Sequence, residues 1–365
     1  MSGSVIKTLA DERILASNLG TFETTAGKCI IIGVIRTFTI RRETPFMEFA
    51  RFELRRRATN ADYRLEETFT VVVSFFSGIP NPQWKVERNQ ELTDLLVDSL
   101  KAGTLGHPSQ MPATLGYRGM LIEDAALDSG KVLVLGSKST ELQMAILKTM
   151  PQGMLKEGDL DDIEDAINAG VLDFKEPPIF RVRGKRYAPP YQPAVWNALV
   201  PAYRRQRCNN CYNYATRRAT DTFAQPGFGS GQIYTRNGGG ALIANPHTGA
   251  NLIAAAQRDG LTQLHPHPAA LAPVPGAPAH AWRHLVALVV KPDTAVRTGD
   301  FHWYRLDNNG QWSHKPGETQ VSQLDNANAP IVDPRNCALG AYVFQRFMVA
   351  DPLANQIGGN FICPV

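Results

Sequence analysis

The apolar positions of this chain fall into short runs of two kinds. "KCIIIGVIRTFTI" from Lys28, "FTVVVSFF" from Phe69, "YRGMLIE" from Tyr117 and "KVLVLG" from Lys131 are dense in β-branched and aliphatic residues and predict strands. "NQELTDLLVDSLKAG" instead spaces Leu92, Leu95, Leu96 and Leu100 at helical intervals and stops at Gly103, which predicts one amphipathic helix. "STELQMAILKTM" reads as a second helix with a Ser-x-x-Glu type of start, and "DLDDIEDAINAG" as a third, its acidic first turn matched to the positive end of the helix dipole. "SGIPNPQW", with two prolines and a glycine, reads as a turn.

The texture changes after about residue 150. "KEPPIFRVRGKRYAPPYQP" is rich in proline and basic residues and reads as a linker or extended arm. Beyond it lie long glycine- and proline-rich loops, such as "QPGFGSGQ" and "HPHPAALAPVPGAPAH". "HLVALVVKP", nearly all apolar, predicts a central strand. "FHWYRL" alternates, with His302, Tyr304 and Leu306 on one face; "DNNG" is strong turn chemistry, and "QWSHK" is the returning strand. The expected organisation is an N-terminal α/β domain over 1–150, recognition or regulatory; a helix and linker over 151–185; and an α+β domain with an antiparallel sheet over 186–365.

Composition narrows the function classes. With 43% apolar and 20% charged residues, the 365-residue chain has the make-up of a soluble globular protein. No apolar run is long enough for a membrane span. The net charge of +4 is mild, and the basic run near Arg41 is interrupted by apolar and acidic residues, which favours a solvated face over a nucleic-acid partner. The N-terminus lacks a secretory pattern, so the chain is expected to be cytoplasmic, or exported without a recognisable signal peptide. Five cysteines, an odd and sparse set, fit a reducing compartment or a thiol kept free for a reason. No phosphate loop or dinucleotide fingerprint is present, and no metal or organic cofactor is required.

The chemistry concentrates at two places. In "RRQRCNNCYNYATRRATDTF", Asn209 or Asn210 is a good N-cap, which puts Cys211 in the first turn of a helix. The free N–H groups and dipole there favour a thiolate. Cys208 and Cys211 also form a C-x-x-C, which leaves open a zinc site completed by His265 and His267, or a structural pair. The second place is the hairpin bearing His302 and His314 on opposite arms. Cys29, Cys337 and Cys363 read as small buried apolar residues.

A helix-start cysteine box, "NNCYNYA", then a strand histidine, an "NNG" turn and a second histidine twelve positions on resemble the papain-like cysteine hydrolases of the NlpC and CHAP type. The chain also resembles bacterial proteins sharing a "CYNYA … HWYR … WSHKPG" pattern. The first resemblance covers about 120 residues and implies a papain-like fold with Cys211 as nucleophile, His302 as base and His314 as its orienter. Asp325 is the second choice for orienter. It further implies a peptidase or amidase acting on a peptide, peptidoglycan or protein substrate. The alternatives are a non-catalytic binding or structural protein on that scaffold, and the zinc-binding domain.

Overall fold

A computed structural model describes residues 21–24, 27–30, 68–123, 132–170, 188–198, 204–231, 247–263 and 283–361. Most of the expected linker, the end of the first strand run, His265, His267 and Cys363 lie outside the described residues. The chain forms two compact units, Met1–Ala61 and Asp62–Val365. In the first, β1 (Thr21–Thr24) pairs antiparallel with β2 (Gly27–Ile30).

The second unit carries two five-stranded sheets, both antiparallel in every pairing given by their registers. The first has the order β4-β3-β6-β7-β5, from β3 (Thr68–Val73), β4 (Gln83–Glu87), β5 (Leu105–Gly106), β6 (Met120–Glu123) and β7 (Val132–Leu135). With it go α1 (Gln90–Ala102), α2 (Thr140–Leu147) and α3 (Glu157–Asn168), all three on the sequences that predicted them. Helix α1 buries Leu92, Leu96 and Leu100. It is capped at the start by the Asn89 side chain and at the end by Gly103 in the left-handed region, φ 65°. Helix α2 lacks the expected capping box, since its N-cap is Ser139 and the residue three positions on is Leu142, with Glu141 one place short. The Ser139 hydroxyl donates to Gly136 O at 2.9 Å instead of capping the helix.

The second sheet has the order β11-β10-β9-β12-β8, from β8 (Thr262–Gln263), β9 (His284–Lys291), β10 (Asp300–Leu306), β11 (Trp312–His314) and β12 (Val343–Ala350). Strand β9 is buried along its whole length, as an unbroken apolar run at the sheet centre requires. Leu285, Ala287, Val289, Tyr304, Trp312, Phe347 and Val349 share one core cluster. Short helices α4 (Pro193–Trp196), α5 (Arg204–Arg207) and α6 (Cys211–Thr216) and the longer α7 (Gly249–Arg258) complete the unit, with α6 packed against β10. The fold class is α+β.

Within the second unit, residues on either side of the expected 151–185 linker are hydrogen-bonded to one another. The physical reason is the loop between β3 and β4, residues 74–82, which is bonded into β10 and the segment after β11. The Asp300 carboxylate accepts the backbone N–H groups of Ser77 (2.5 Å), Gly78 (2.9 Å) and Ile79 (3.1 Å). Asn81 donates to Glu318 at 3.2 Å, and Gly317 N donates to Ser77 O at 3.1 Å. The expected first and last domains therefore share one polar interior.

Candidate functional site

Asn210 caps α6, as the sequence suggested. Its side-chain oxygen accepts from Tyr212 N (3.1 Å) and Asn213 N (3.2 Å), and Asn213 Oδ1 accepts from Asn210 N (3.1 Å) in return. This places Cys211 at the helix start. The thiol is closed off from solvent. Cys211 is 0% exposed, and its sulfur donates to Phe301 O at 3.8 Å. Burial pushes the thiol well above its ordinary value, and Asp300 adds to this; the Ser77 hydroxyl and Lys315 pull the other way without prevailing.

The hairpin register is Tyr304 opposite His314, which settles where the histidines point. His302 Nε2 lies 2.9 Å from His314 Nδ1, so the two rings meet as the sequence reading required. His314 Nε2 lies 2.9 Å from Leu324 O, and His302 Nδ1 lies 2.5 Å from Ser77 Oγ. A carbonyl only accepts, so His314 Nε2 carries its proton. In the neutral pair His302 Nε2–H then donates to His314 Nδ1, and the Ser77 hydroxyl donates to His302 Nδ1. The order along this chain is Ser77, His302, His314, Leu324 O, with the Cys211 thiol bonded separately to Phe301 O. Every side chain in it is buried: His302, His314 and Ser77 are all 0% exposed. Burial drives His302 well below the usual imidazole range and His314 down to about 4. Tyr304 stacks on His314, ring centroids 5.0 Å apart, and meets His302 edge-on at 4.7 Å.

Several groups that surround the chain were missed from sequence. Asp300 accepts Tyr342 OH (2.5 Å) besides the three loop amides. Lys315, fully buried, donates to Asn209 O (2.5 Å), Gly317 O (2.6 Å) and Gln206 O, and burial lowers it to about 7. Arg118, also fully buried, donates to Phe75 O (3.1 Å), Phe76 O (2.6 Å) and Gly116 O (2.8 Å). The Gly78 carbonyl accepts from Asn210 Nδ2 (2.7 Å) and Gln225 Nε2 (2.8 Å). The usable signal was the short polar spacing in "SGIPNP", which reads as a turn until its partners two hundred residues away are known.

Asp325 does not serve as an orienter. Its carboxylate accepts the backbone N–H groups of Ala327 (2.9 Å), Ala329 (2.9 Å) and Ala338 (2.8 Å) and so builds its own turn. Cys208 is disulfide-bonded, while Cys211 and Cys337 are free, so the C-x-x-C is not a bonded pair. The disulfide also removes Cys208 as a zinc ligand, since a metal takes the thiolate. Cys337 is half-buried rather than fully interior. Among the described residues, no group of three or more His, Cys, Asp and Glu side chains could hold a metal ion. Among them too, no helix is long and apolar enough to cross a membrane.

Fold and site together define an α+β protein whose thiol–imidazole array is part of the hydrogen-bonded interior. The chain is 43% identical over 152 residues to insoluble matrix shell protein 1 of Ruditapes philippinarum, a match that covers 42% of this chain and 82% of that protein. The chain belongs to the family of that shell matrix protein. No family model matches it, and no solved structure does.

Proposed function

We propose that the protein has a structural, non-catalytic role as a component of an extracellular matrix, with the thiol–imidazole array serving its stability. The observation that carries this is the burial of every candidate catalytic group: Cys211, His302 and His314 are all 0% exposed, and each has a partner supplied by the chain itself. A nucleophile without solvent access meets no substrate, and a thiol shifted upward is inert at neutral pH. Two findings support the matrix setting. The disulfide at Cys208 fits an oxidising compartment. The related protein is named for an insoluble shell matrix.

Alkylation tests the proposal. Native protein at pH 7–8 is treated with iodoacetamide and mapped by mass spectrometry, the half-buried thiol of Cys337 serving as internal comparison. Cys211 is expected to react only through unfolding, at least ~10³-fold more slowly than in urea-unfolded protein. Fast, selective labelling of Cys211 in folded protein, abolished by His302→Ala, would overturn the structural role.

A second reading, a closed cysteine hydrolase acting on an amide bond, is favoured by one specific observation. The contact between His302 and His314 at 2.9 Å has the order of base and orienter. In that reading Cys211 remains the nucleophile, and the site must open before peptide, peptidoglycan or protein can enter.

A further inference from the structure

The loop between β3 and β4 has the properties of a bound peptide. Its backbone is braced from within: Asn81 Oδ1 accepts Phe75 N (3.0 Å) and Phe76 N (2.7 Å), and Arg118 holds the carbonyls of the same two residues. Its tip is gripped from the other side by groups of the second sheet and α6. Three consecutive amides, of Ser77, Gly78 and Ile79, enter the Asp300 carboxylate. The carbonyl between them, Gly78 O, takes two side-chain N–H donors, Asn210 Nδ2 and Gln225 Nε2. Two such donors on one carbonyl, beside a helix-start thiol, are the arrangement that stabilises a negatively charged oxygen in acyl transfer. The position also has a size rule. A Cβ on Gly78 would lie 2.5 Å from the Phe301 ring and 2.5 Å from Phe301 O, so only glycine fits.

We propose that the space between the start of α6 and β10 is a binding cleft for an extended peptide backbone with glycine at its centre, and that the Ser74–Pro82 loop of the chain itself fills it. The inference goes beyond the structural role, and it concerns occupancy rather than turnover. Main-chain groups provide the recognition: a carboxylate for successive N–H groups, two amide side chains for one C=O, and the Ser77 hydroxyl on His302. Filling the cleft in this way walls off Cys211. Displacing the loop exposes the thiol and leaves a vacant site whose ligand chemistry is that of the loop.

Two variants loosen the loop while keeping Cys211, His302 and His314: Gly78→Ala, through its clash with Phe301, and Asp300→Asn, which keeps the size and weakens the hydrogen bonds from the three loop amides and Tyr342 OH; since Asp300 also raises the Cys211 thiol, Gly78→Ala is the primary test. Circular dichroism monitors folding, and iodoacetamide reports on Cys211. Labelling in a folded variant is expected to be at least ~10-fold faster than in the parent protein. In Gly78→Ala, whose cleft keeps Asp300, the synthetic nonapeptide SFFSGIPNP, residues 74–82, is expected to slow it again, and the same peptide with alanine for glycine is not. A folded variant that labels no faster, or folded Gly78→Ala that labels faster with no protection by the nonapeptide, overturns the proposal. If neither variant folds, the parent protein is labelled in urea below its transition. A rate that rises with a shallower urea slope than global unfolding supports loop opening, and a rate that follows the global slope overturns it. Adding His302→Ala to Asp300→Asn separates the hydrolase reading: an unchanged alkylation rate sinks that reading and leaves the cleft standing.

Discussion

Acidification should weaken the fold through His314 by an amount that can be worked out. The ring is fully buried, and its neutral form is fixed at both nitrogens, by His302 on one side and Leu324 O on the other. Burial lowers it from 6.5 to about 4. The folded-state value is the depressed one, so the contribution to stability is fully present above pH 6.5. It falls as the pH drops towards 4, because the unfolded chain takes up a proton that the folded chain refuses, and it levels off below that. Between pH 7.5 and 5 the loss is about 2 kcal/mol, and by pH 4 about 3 kcal/mol. His302 is lowered in the same direction and adds to the loss. Several carboxylates also titrate in this range, so the assay is a difference: urea denaturation of the parent protein and of His314→Gln at pH 7.5, 6.5, 5.5 and 5.0. The shared carboxylates cancel. The variant should be less stable at pH 7.5, and the gap should shrink by about 2 kcal/mol by pH 5. Parallel pH profiles for the two proteins would show that the imidazole is not held neutral in the core, and the account of the buried relay would fail with it.

Two other buried features give independent tests. Arg305 and Asp307 form an ion pair at 2.8 Å with side chains 1% and 0% exposed, so Asp307→Ala should cost ~3–5 kcal/mol in urea melts by stranding a buried guanidinium, whereas Arg305→Met with Asp307→Leu should recover much of that; equal losses in both would refute the pairing argument. Cys208→Ser should lower stability by ~2–4 kcal/mol, and a non-reducing peptide map should show Cys208 in disulfide linkage while Cys211 and Cys337 accept alkylation after unfolding without reductant; a free Cys208 in that map would contradict the assignment.

The sequence by itself determined the local elements. Apolar spacing and capping and turn residues placed α1, α3 and β9, an N-cap at Asn209 or Asn210, and the hairpin carrying His302 and His314, because each depends on residues within a dozen positions. It also brought the two histidines into one neighbourhood, since a tight turn leaves few registers. Only the tertiary structure decided what those groups are for. The promise of a low-pKa thiol rested on the helix start, a local effect worth a fraction of a charge. The burial that reverses it is made by distant parts of the chain: the Cys211 thiol meets Phe301 O, 90 residues away, and its neighbour Asn210 meets Gly78 O, more than 130 residues away. The same distance hid the link between the β3–β4 loop and β10, since a strand, a proline-rich turn and an aspartate do not declare that they are partners. Periodicity records which face of an element is apolar, but burial of a polar group depends on what packs over it, and that is a property of the assembled fold.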